Sequence, residues 1–186
     1  MNPERPTPVS PTPNCYWVVP GFLAGNYPRT REEESSREKL RRILDAGVTC
    51  FVDLTTRHDP LEPYEHLLSE LAGGAATVAA EAGAAARESF PVSDLSIPGS
   101  HETTRAILDT IDHVIGDGGV VYVHCWGGIG RTGTIVGCWL VRHGMTGEEA
   151  LARVAELWST LPGSGWSTSP QTDEQFRYVR EWREDE

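Results

Sequence analysis

One short segment of the sequence combines a thiol, several glycines and an arginine in a spacing that suits chemistry on an anion. Cys125 is followed by three glycines within five residues, and Arg131 lies six positions after it. Glycines lack a Cβ atom, so the backbone there can adopt positive φ and approach a ligand closely. A permanently charged guanidinium can donate two parallel hydrogen bonds to phosphate oxygens. The segment therefore predicts a nucleophile, an anion cradle and a charge clamp close together.

The elements around this segment place the thiol where parallel sheets bind ligands. Residues 120–123, Val-Val-Tyr-Val, predict a central strand that leads into His124 and Cys125. Residues from about 130 to 143 predict a helix, whose first N–H groups point back into the glycine-rich turn. Such a helix start forms a nest for a tetrahedral oxyanion. The same field stabilises Cys125 as the thiolate, which is the nucleophilic form.

This segment resembles the active-site loop of the protein-tyrosine-phosphatase superfamily, whose pattern is His-Cys, five residues, Arg, then Ser or Thr. Here it reads HCWGGIGRTG, which is similar to the loops of the dual-specificity and bacterial tyrosine phosphatase branches. The resemblance covers about residues 15–183, and this loop is its strongly specific part. It implies hydrolysis of phosphomonoesters through a phosphocysteine on Cys125, with no metal or organic cofactor.

The resemblance implies a role for each residue around the thiol. Cys125 would attack phosphorus, and His124 matches the residue that orders the loop. Thr132 matches the hydroxyl that helps the thiolate leave, and a capping hydroxyl in the first helical turn is the alternative interpretation. The loop residues expected to bind substrate are Trp126, Gly127, Gly128, Ile129, Gly130 and Arg131. Trp126 is an unusual residue in such a loop.

A general acid is expected upstream of the loop, because the leaving oxygen must be protonated. Asp94 lies 31 residues before Cys125, in the context FPVSDLSIP. That context resembles the acid loop of dual-specificity phosphatases, so Asp94 is the predicted acid. The alternatives are that Asp94 caps a turn, or that Asp53 is the acid. We expect Asp53 instead to form hydrogen bonds at the end of a strand.

A glutamine-containing segment near the C-terminus supplies a further candidate. In PQTDEQF, Gln171 resembles the glutamine that positions the attacking water in the second step. A helix start capped by Thr172 with Gln175 is the alternative interpretation. Tyr64 and His66 are weaker candidates for the substrate cleft, and surface positions on a helix are the favoured interpretation for both.

Strands and helices alternate along the chain, which predicts an α/β fold with a central, mostly parallel sheet flanked by helices. The predicted size is that of a dual-specificity phosphatase. Besides the strand before Cys125, runs of apolar residues predict strands near 16–19, 22–23, 50–54 and 89–92. Periodic apolar residues predict helices near 30–47, 63–72, 99–117, 130–143, 146–161 and 172–182. Thr30 with Glu33 and Thr146 with Glu149 predict capping boxes.

Composition narrows the class of protein. The 186 residues include 27 acidic and 16 basic ones, giving a net charge of −11, which disfavours binding to nucleic acid or to an anionic membrane. The four cysteines are scattered without metal-site spacing, and the N-terminus lacks a signal-peptide pattern, so we expect a cytoplasmic protein. Residues 1–14 predict a disordered Pro-rich tail and residues 15–186 the phosphatase domain. An Ala/Gly-rich connection is expected over residues 73–86.

Phosphotyrosine proteins are the expected substrates, with phosphoserine and phosphothreonine proteins as further candidates. One alternative is a pseudophosphatase that binds phosphoproteins without turnover, although the Cys, Arg and Asp candidates that such proteins usually lose are present. Another is a phosphoinositide or inositol-phosphate phosphatase. Tensin-like enzymes of that class place lysines within the loop, whereas the five residues here are Trp, Gly, Gly, Ile and Gly.

Overall fold

A single sheet organises the computed structural model, which describes residues 9–74 and 85–184. Its strands lie in the order β1-β2-β5-β3-β4, and only the β1–β2 pair is antiparallel. The strands are β1 (Cys15–Val19), β2 (Phe22–Gly25), β3 (Val48–Asp53), β4 (Ala86–Ser89) and β5 (Val120–His124). The sheet is therefore mostly parallel, as the alternation of strands and helices predicted.

Helices cover both faces of this sheet. They are α1 (Glu33–Asp45), α2 (Glu65–Gly74), α3 (His101–Gly116), α4 (Gly130–Arg142), α5 (Gly147–Ser159) and α6 (Asp173–Glu181), with a short 3-10 helix at Ser164–Trp166. Side chains of α1 and α2 pack on one face, and those of α3 to α6 pack on the other. Within the described ranges, no helix combines the length and the apolar character that a membrane span requires.

Strand β5 explains why the central strands read as continuous apolar runs. Val121 and Val123 belong to the core on the α3–α6 side, whereas Tyr122 belongs to the core on the α1–α2 side. Successive side chains of a strand point to opposite faces. Because helices cover both faces, each of these side chains is buried. Packing on both faces therefore fixes the strand that leads into the glycine-rich loop.

Two details differ from the sequence prediction. Strand β4 lies at Ala86–Ser89, upstream of the predicted 89–92, because its residues pair in register with β3 from Cys50 to Asp53. Helix α1 has no Thr30 capping box. The Thr30 hydroxyl lies 2.6 Å from the Ser35 hydroxyl, and the N-cap residue Glu32 makes no side-chain cap. The predicted capping box of α5 is formed, with Thr146 and Glu149 bonded reciprocally.

Part of the predicted N-terminal tail is described. Residues 9–14 precede β1, and Thr12 there is buried with its hydroxyl 3.1 Å from the Cys15 sulfur. The Trp17 indole N–H donates to the Val9 carbonyl at 3.4 Å. Residues 1–8 lie outside the described residues, and the boundary between tail and domain stays a prediction. The predicted connection at 73–86 also lies mostly outside them.

We expect Gly137→Ala to destabilise the fold at the contact between α4 and α6. A Cβ atom at Gly137 would lie 2.6 Å and 2.8 Å from the two γ-methyl carbons of the buried Val179. Overpacking of this kind costs about 1–3 kcal/mol of unfolding free energy, which urea denaturation would measure. Gly116→Ala is the control, because a Cβ atom there meets nothing within 4 Å. Equal stability of the two variants would contradict this packing.

Candidate active site

The turn between β5 and α4 forms the floor of a surface cavity. Strand β5 ends at His124, helix α4 begins at Gly130, and Cys125 between them is only 3% exposed. The cavity has a volume of about 200 Å³. Its lining combines loop residues with residues from two other segments: Asp94, Leu95, Cys125, Trp126, Gly127, Ile129, Gly130, Arg131 and Gln171. The structure thus brings the predicted nucleophile, clamp, acid and water-positioning residue to one site.

Gly128 gives the loop its shape. Its backbone has φ of +74°, and a Cβ atom would lie 2.5 Å from the carbonyl carbon of Gly25. Only glycine fits this position, because a side chain would be strained by φ and would collide with backbone. The Gly128 N–H donates to the Cys125 sulfur at 3.3 Å. A backbone N–H directed into the turn is the kind of donor from which an anion nest is built.

Arg131 is buried, and its hydrogen bonds fix the plane of its guanidinium. Nη1 donates to Asp59 Oδ2 and to the Val92 carbonyl, both at 3.0 Å. Nη2 donates to Asp59 Oδ1 at 3.0 Å and lies 3.0 Å from Asp94 Oδ1. Nε is buried and has no hydrogen-bond partner in the described part of the chain. An arginine has five N–H donors, so one is left for a ligand.

Asp59 was not among the residues predicted from the sequence. It lies in the segment between β3 and α2, and its side chain is 3% exposed. Burial raises the pKa of Asp59, but hydrogen bonds from Arg131 and Thr56 outweigh it, and the net pKa lies below the ordinary value. The signal that could have found it is position, because the segment follows β3, which runs parallel beside β5.

Asp94 stands at the mouth of the cavity, with about half of its side chain exposed and its carboxylate on Arg131. The chain on both sides of it is tied to other elements. Arg131 bonds the Val92 carbonyl, Gln175 Nε2 donates to the Ser96 carbonyl at 2.9 Å, and the Thr172 hydroxyl donates to Leu95 at 3.4 Å. Residues 92–96, here called the acid loop, are therefore held over the cavity.

The start of α6 forms the capping box of the alternative interpretation and also places Gln171 at the cavity, where its predicted role stays a prediction. Thr172 and Gln175 form a capping box, as the alternative interpretation of this segment states. Gln171 is exposed and also lines the cavity. Gln175 is fully buried, and its Oε1 accepts from the backbone N–H of Gln171 at 3.0 Å. Gly130 leaves room for this arrangement, since a Cβ atom there would lie 2.8 Å from Gln175 Oε1.

His124 is wholly buried beneath the loop. Its Nε2 lies 2.8 Å from the Tyr64 hydroxyl, and its Nδ1 lies 3.4 Å from the Cys125 carbonyl. A carbonyl only accepts, so Nδ1 carries the proton and Nε2 accepts from Tyr64. Burial, which removes the charged form from water, lowers the pKa of His124 to about 4. The imidazole is therefore neutral and supports the loop rather than adding charge.

Two weaker sequence interpretations have different outcomes. Tyr64 is wholly buried, so its assignment to a helix surface is wrong. The Tyr64 side chain points into the core because its hydroxyl donates to the buried His124 ring. His66 is exposed, as expected. Asp53 is buried and accepts from Thr55 and from Arg87 Nη2 at 2.8 Å, which is the hydrogen-bonding role expected at a strand end.

Thr132 lies in the first turn of α4 and is fully buried. Its hydroxyl has no hydrogen-bond partner among the described residues. The N-cap of α4 is Ile129, and no side chain caps that helix, so the capping interpretation of Thr132 is wrong.

Within the described residues, no group of three or more His, Cys, Asp or Glu side chains is arranged to hold a metal ion.

We expect stability to fall with acidity because His124 stays neutral in the fold. The unfolded chain binds a proton on this residue below about pH 6.5, whereas the folded chain does so near pH 4. Because the unfolded chain then binds more protons than the folded chain, the free energy of unfolding falls as pH falls through this window. Between pH 7 and 5 the stability advantage of wild type over His124→Gln should shrink by about 2 kcal/mol in urea denaturation.

A direct measurement uses the native protein alone. The imidazole resonances of His124 should remain those of the neutral ring from pH 7 to pH 5. Titration of this ring near pH 6.5 would contradict its neutral burial.

Comparisons with known proteins agree with this geometry. A family model described as "Swiss Army Knife protein, DSP-PTPase phosphatase domain" matches residues 12–185. The dual specificity protein phosphatase CDC14B of Mus musculus is 33% identical over 94 residues, 50% of this chain and 18% of that protein. The putative tyrosine phosphatase 067L of invertebrate iridescent virus 3 is 27% identical over 129 residues, 67% of this chain and 44% of that protein. The matches thus span less than half of these relatives.

A solved structure extends the likeness to the fold. The crystal structure of Tk-PTP in the active form has a TM-score of 0.69 at 20% identity. The superposition covers 91% of this chain and 95% of that one. Together with the family match over residues 12–185, these findings mean that the chain belongs to the dual-specificity phosphatase family, within the protein-tyrosine-phosphatase superfamily.

Proposed function

We propose that this protein hydrolyses phosphomonoesters through a phosphocysteine on Cys125, with phosphotyrosine proteins as substrates and phosphoserine and phosphothreonine proteins as further candidates. The observation that carries the proposal is the state of Arg131. Its guanidinium is oriented by Asp59, its buried Nε has no hydrogen-bond partner among the described residues, and Arg131 lines the same cavity as Cys125. A buried unpaired donor costs free energy, and a phosphate oxygen would satisfy it.

Substrate binding would replace the Asp94 carboxylate on Arg131 with the phosphate group of the substrate. Phosphate oxygens would accept from Nε and from the Nη2 hydrogen that faces Asp94, while Asp59 keeps its two bonds to the guanidinium. The backbone N–H groups of residues 126–131 would hold the remaining oxygens. Asp94 would be released from Arg131 by the same event and would face the leaving oxygen.

In the first chemical step, the Cys125 thiolate attacks phosphorus. The sulfur–phosphorus bond forms, the bond from phosphorus to the ester oxygen breaks, and Asp94 gives its proton to the leaving oxygen. Asp94 is suited to this role because its half-exposed carboxyl lies at the mouth of the cavity, where the leaving group departs. The protein then carries a phosphocysteine and an ionised Asp94.

In the second step, water attacks the phosphocysteine. Gln171, which lines the cavity, would orient the water, and Asp94 would take its proton. The sulfur leaves as the thiolate, which the Gly128 N–H stabilises at 3.3 Å. The Thr132 hydroxyl, which is buried and has no hydrogen-bond partner in the part of the chain that the structure describes, is assigned to the same task. His124 supports the loop from beneath without moving a proton.

A highly phosphorylated lipid or inositol ligand is the less favoured substrate. Between Cys125 and Arg131 the loop carries no charged side chain. The two charged side chains that line the cavity are Arg131 and Asp94, of opposite sign. Additional phosphates would find no further cation among the lining residues, so a single phosphate group suits the site.

We expect Cys125→Ser to abolish hydrolysis of p-nitrophenyl phosphate and of a phosphotyrosine peptide in EDTA, because serine has no thiolate. Asp94→Asn should lower turnover of the peptide about 100-fold or more, in the range usual for loss of a general acid. Steady-state kinetics with both substrates would measure these changes. The loss should be smaller with p-nitrophenyl phosphate, whose leaving group needs less protonation.

Three outcomes would separate the candidate functions. Turnover that survives Cys125→Ser would exclude the thiolate mechanism. Binding of the phosphopeptide without turnover would show that the protein is a phosphoprotein-binding module and not an enzyme. Faster hydrolysis of a soluble phosphoinositide than of the peptide would assign the site to lipid or inositol phosphates.

We expect Asp59→Asn to lower kcat/KM for p-nitrophenyl phosphate by about 10- to 100-fold. Without the Asp59 carboxylate the Arg131 guanidinium can shift, and its N–H groups then no longer align with two phosphate oxygens. Glu62→Gln is the control, since it removes one negative charge from an exposed residue of the same segment. Steady-state kinetics of the two variants would measure this difference. Equal effects would show that only net charge matters.

A further inference from the structure

A second cavity lies on the surface of the protein, apart from the candidate active site. Its volume is about 350 Å³, which is within the range of small-molecule sites in proteins. Its lining comes from residues within 12–14 before β1, within 26–30 after β2 and within 35–42 of α1. None of these lining residues also lines the active-site cavity. We call this second cavity the α1 cavity.

The lining of the α1 cavity carries an excess of positive charge. Three of its residues are basic, Arg29, Lys39 and Arg42, and one is acidic, Glu38. Glu38 and Arg42 form an ion pair with each other. Arg29 and Lys39 therefore add two positive charges that this pair does not balance, in a chain whose net charge is −11. A cationic cavity on an acidic protein favours an anionic ligand.

Lys39 is partly buried, and its ammonium group contacts uncharged acceptors. Its Nζ donates to Asn26 Oδ1 and to the Tyr27 carbonyl, both at 2.6 Å. An ammonium group has three donors, so these two acceptors leave one for a ligand. Burial lowers the pKa of Lys39 to about 8, because the charged form is partly removed from water. A bound anion would stabilise that charged form.

Arg29 lines the same cavity with its guanidinium incompletely bonded. Its Nη1 donates to the Pro63 carbonyl at 2.5 Å. Its Nε is buried and has no hydrogen-bond partner among the described residues. A buried donor without an acceptor costs free energy, and an anion beside Arg29 would supply the acceptor.

The other lining residues indicate what the ligand carries besides negative charge. Pro13 is the only apolar residue among them. The remaining five have hydroxyl or amide side chains: Thr12, Asn14, Asn26, Thr30 and Ser35. Such groups form hydrogen bonds with hydroxyl groups of a ligand, whereas an aromatic ligand would find little apolar surface here.

We propose that the α1 cavity binds a small phosphate ester of a polyhydroxy compound, such as a sugar phosphate. Arg29 and Lys39 would bind the phosphate oxygens, and the hydroxyl and amide side chains would bind the hydroxyl groups of the ligand. The cavity is chosen for this ligand by the combination of two unbalanced cations with a polar, uncharged wall.

Binding has to be measured residue by residue, because the two cavities are connected through Tyr27. The Tyr27 carbonyl accepts from Lys39, and the Tyr27 N–H donates to the Trp126 carbonyl at 2.9 Å. A change of activity would therefore not show which cavity holds the ligand. Two-dimensional NMR of the isotope-labelled full chain separates them, and Cys125→Ser in all samples prevents turnover of the probe.

The probes are glucose 6-phosphate, inorganic phosphate and glucose. Backbone amide resonances of Asn14, Thr30 and Ser35 report on the α1 cavity, and those of Gly127 and Gly128 report on the active site.

Two variants each remove one positive charge from the α1 cavity, Lys39→Gln and Arg29→Gln. Arg41→Gln is the matched control, because Arg41 is an exposed residue of the same helix and lies outside the cavity lining. Arg29→Gln decides the test if Lys39→Gln shifts resonances throughout the protein, since Lys39 also supports Tyr27.

We expect glucose 6-phosphate to shift the resonances of the α1 cavity with a Kd of about 1 mM or below. Lys39→Gln and Arg29→Gln should each weaken this binding about 10-fold or more, as is usual for loss of a hydrogen bond to a charged group. Arg41→Gln should change it by less than about 2-fold, because an exposed charge is screened by salt. Inorganic phosphate should bind more weakly than glucose 6-phosphate, and glucose should cause no shift.

Three results would overturn the inference. Shifts confined to Gly127 and Gly128 would place the ligand in the active site alone. Equal affinity in Arg29→Gln and Arg41→Gln would show that the cations of the cavity do not bind it. Equal affinity for inorganic phosphate and glucose 6-phosphate would exclude a polyhydroxy ligand. All three leave hydrolysis at Cys125 intact, because turnover tests that function.

Discussion

The buried pair of Arg131 and Asp59 is the interaction on which the site depends. A guanidinium taken out of water needs a partner for its charge and for its hydrogen bonds. Asp59 supplies both, because its two oxygens take one hydrogen from each terminal nitrogen. The pair joins the start of α4 to the segment after β3, and Arg131 then reaches the acid loop through the Val92 carbonyl. Three segments distant in sequence are thereby assembled around one cation.

A second polar layer lies under the loop and serves a different purpose. Asp53 and Arg87 form an ion pair between neighbouring strands, and the neutral His124 ring lies between Tyr64 and the Cys125 carbonyl. Asp53, Tyr64 and His124 are buried and Arg87 is partly buried, and all four are hydrogen-bonded, which is the condition under which polar groups in a core define one structure. These groups hold the backbone of the loop, whereas Arg131, Asp59 and Asp94 set the charge at the cavity.

What the sequence could predict follows from how far apart the interacting residues lie along the chain. The loop from Cys125 to Arg131 was predictable because strand, glycines and helix start are contiguous, and the family match supports that interpretation. Asp59 and Tyr64 were not, because their partners lie 72 and 60 residues away. A lone Asp in a turn or a Tyr before a helix carries no local sign of such a contact.

The fold elements show the same division between local and distant effects. The capping boxes of α5 and α6 were predictable, since each involves residues three positions apart. The position of β4 was not, because pairing with β3 rather than local β propensity decides where that strand lies. The short apolar run at 89–92 instead continues from the strand toward Asp94.

The contact between Gly128 and Gly25 has a consequence for how the protein folds. The glycine-rich loop rests against the end of β2, and β2 pairs with β5 across about a hundred residues of chain, with Gly25 opposite His124. Pairings of such high contact order form slowly, because the loop closure they require costs entropy before they return any contact. The chain must therefore bring its N-terminal hairpin to the sheet before the loop is fully supported. The glycine-rich loop therefore depends for its shape on a strand pairing between residues about a hundred positions apart.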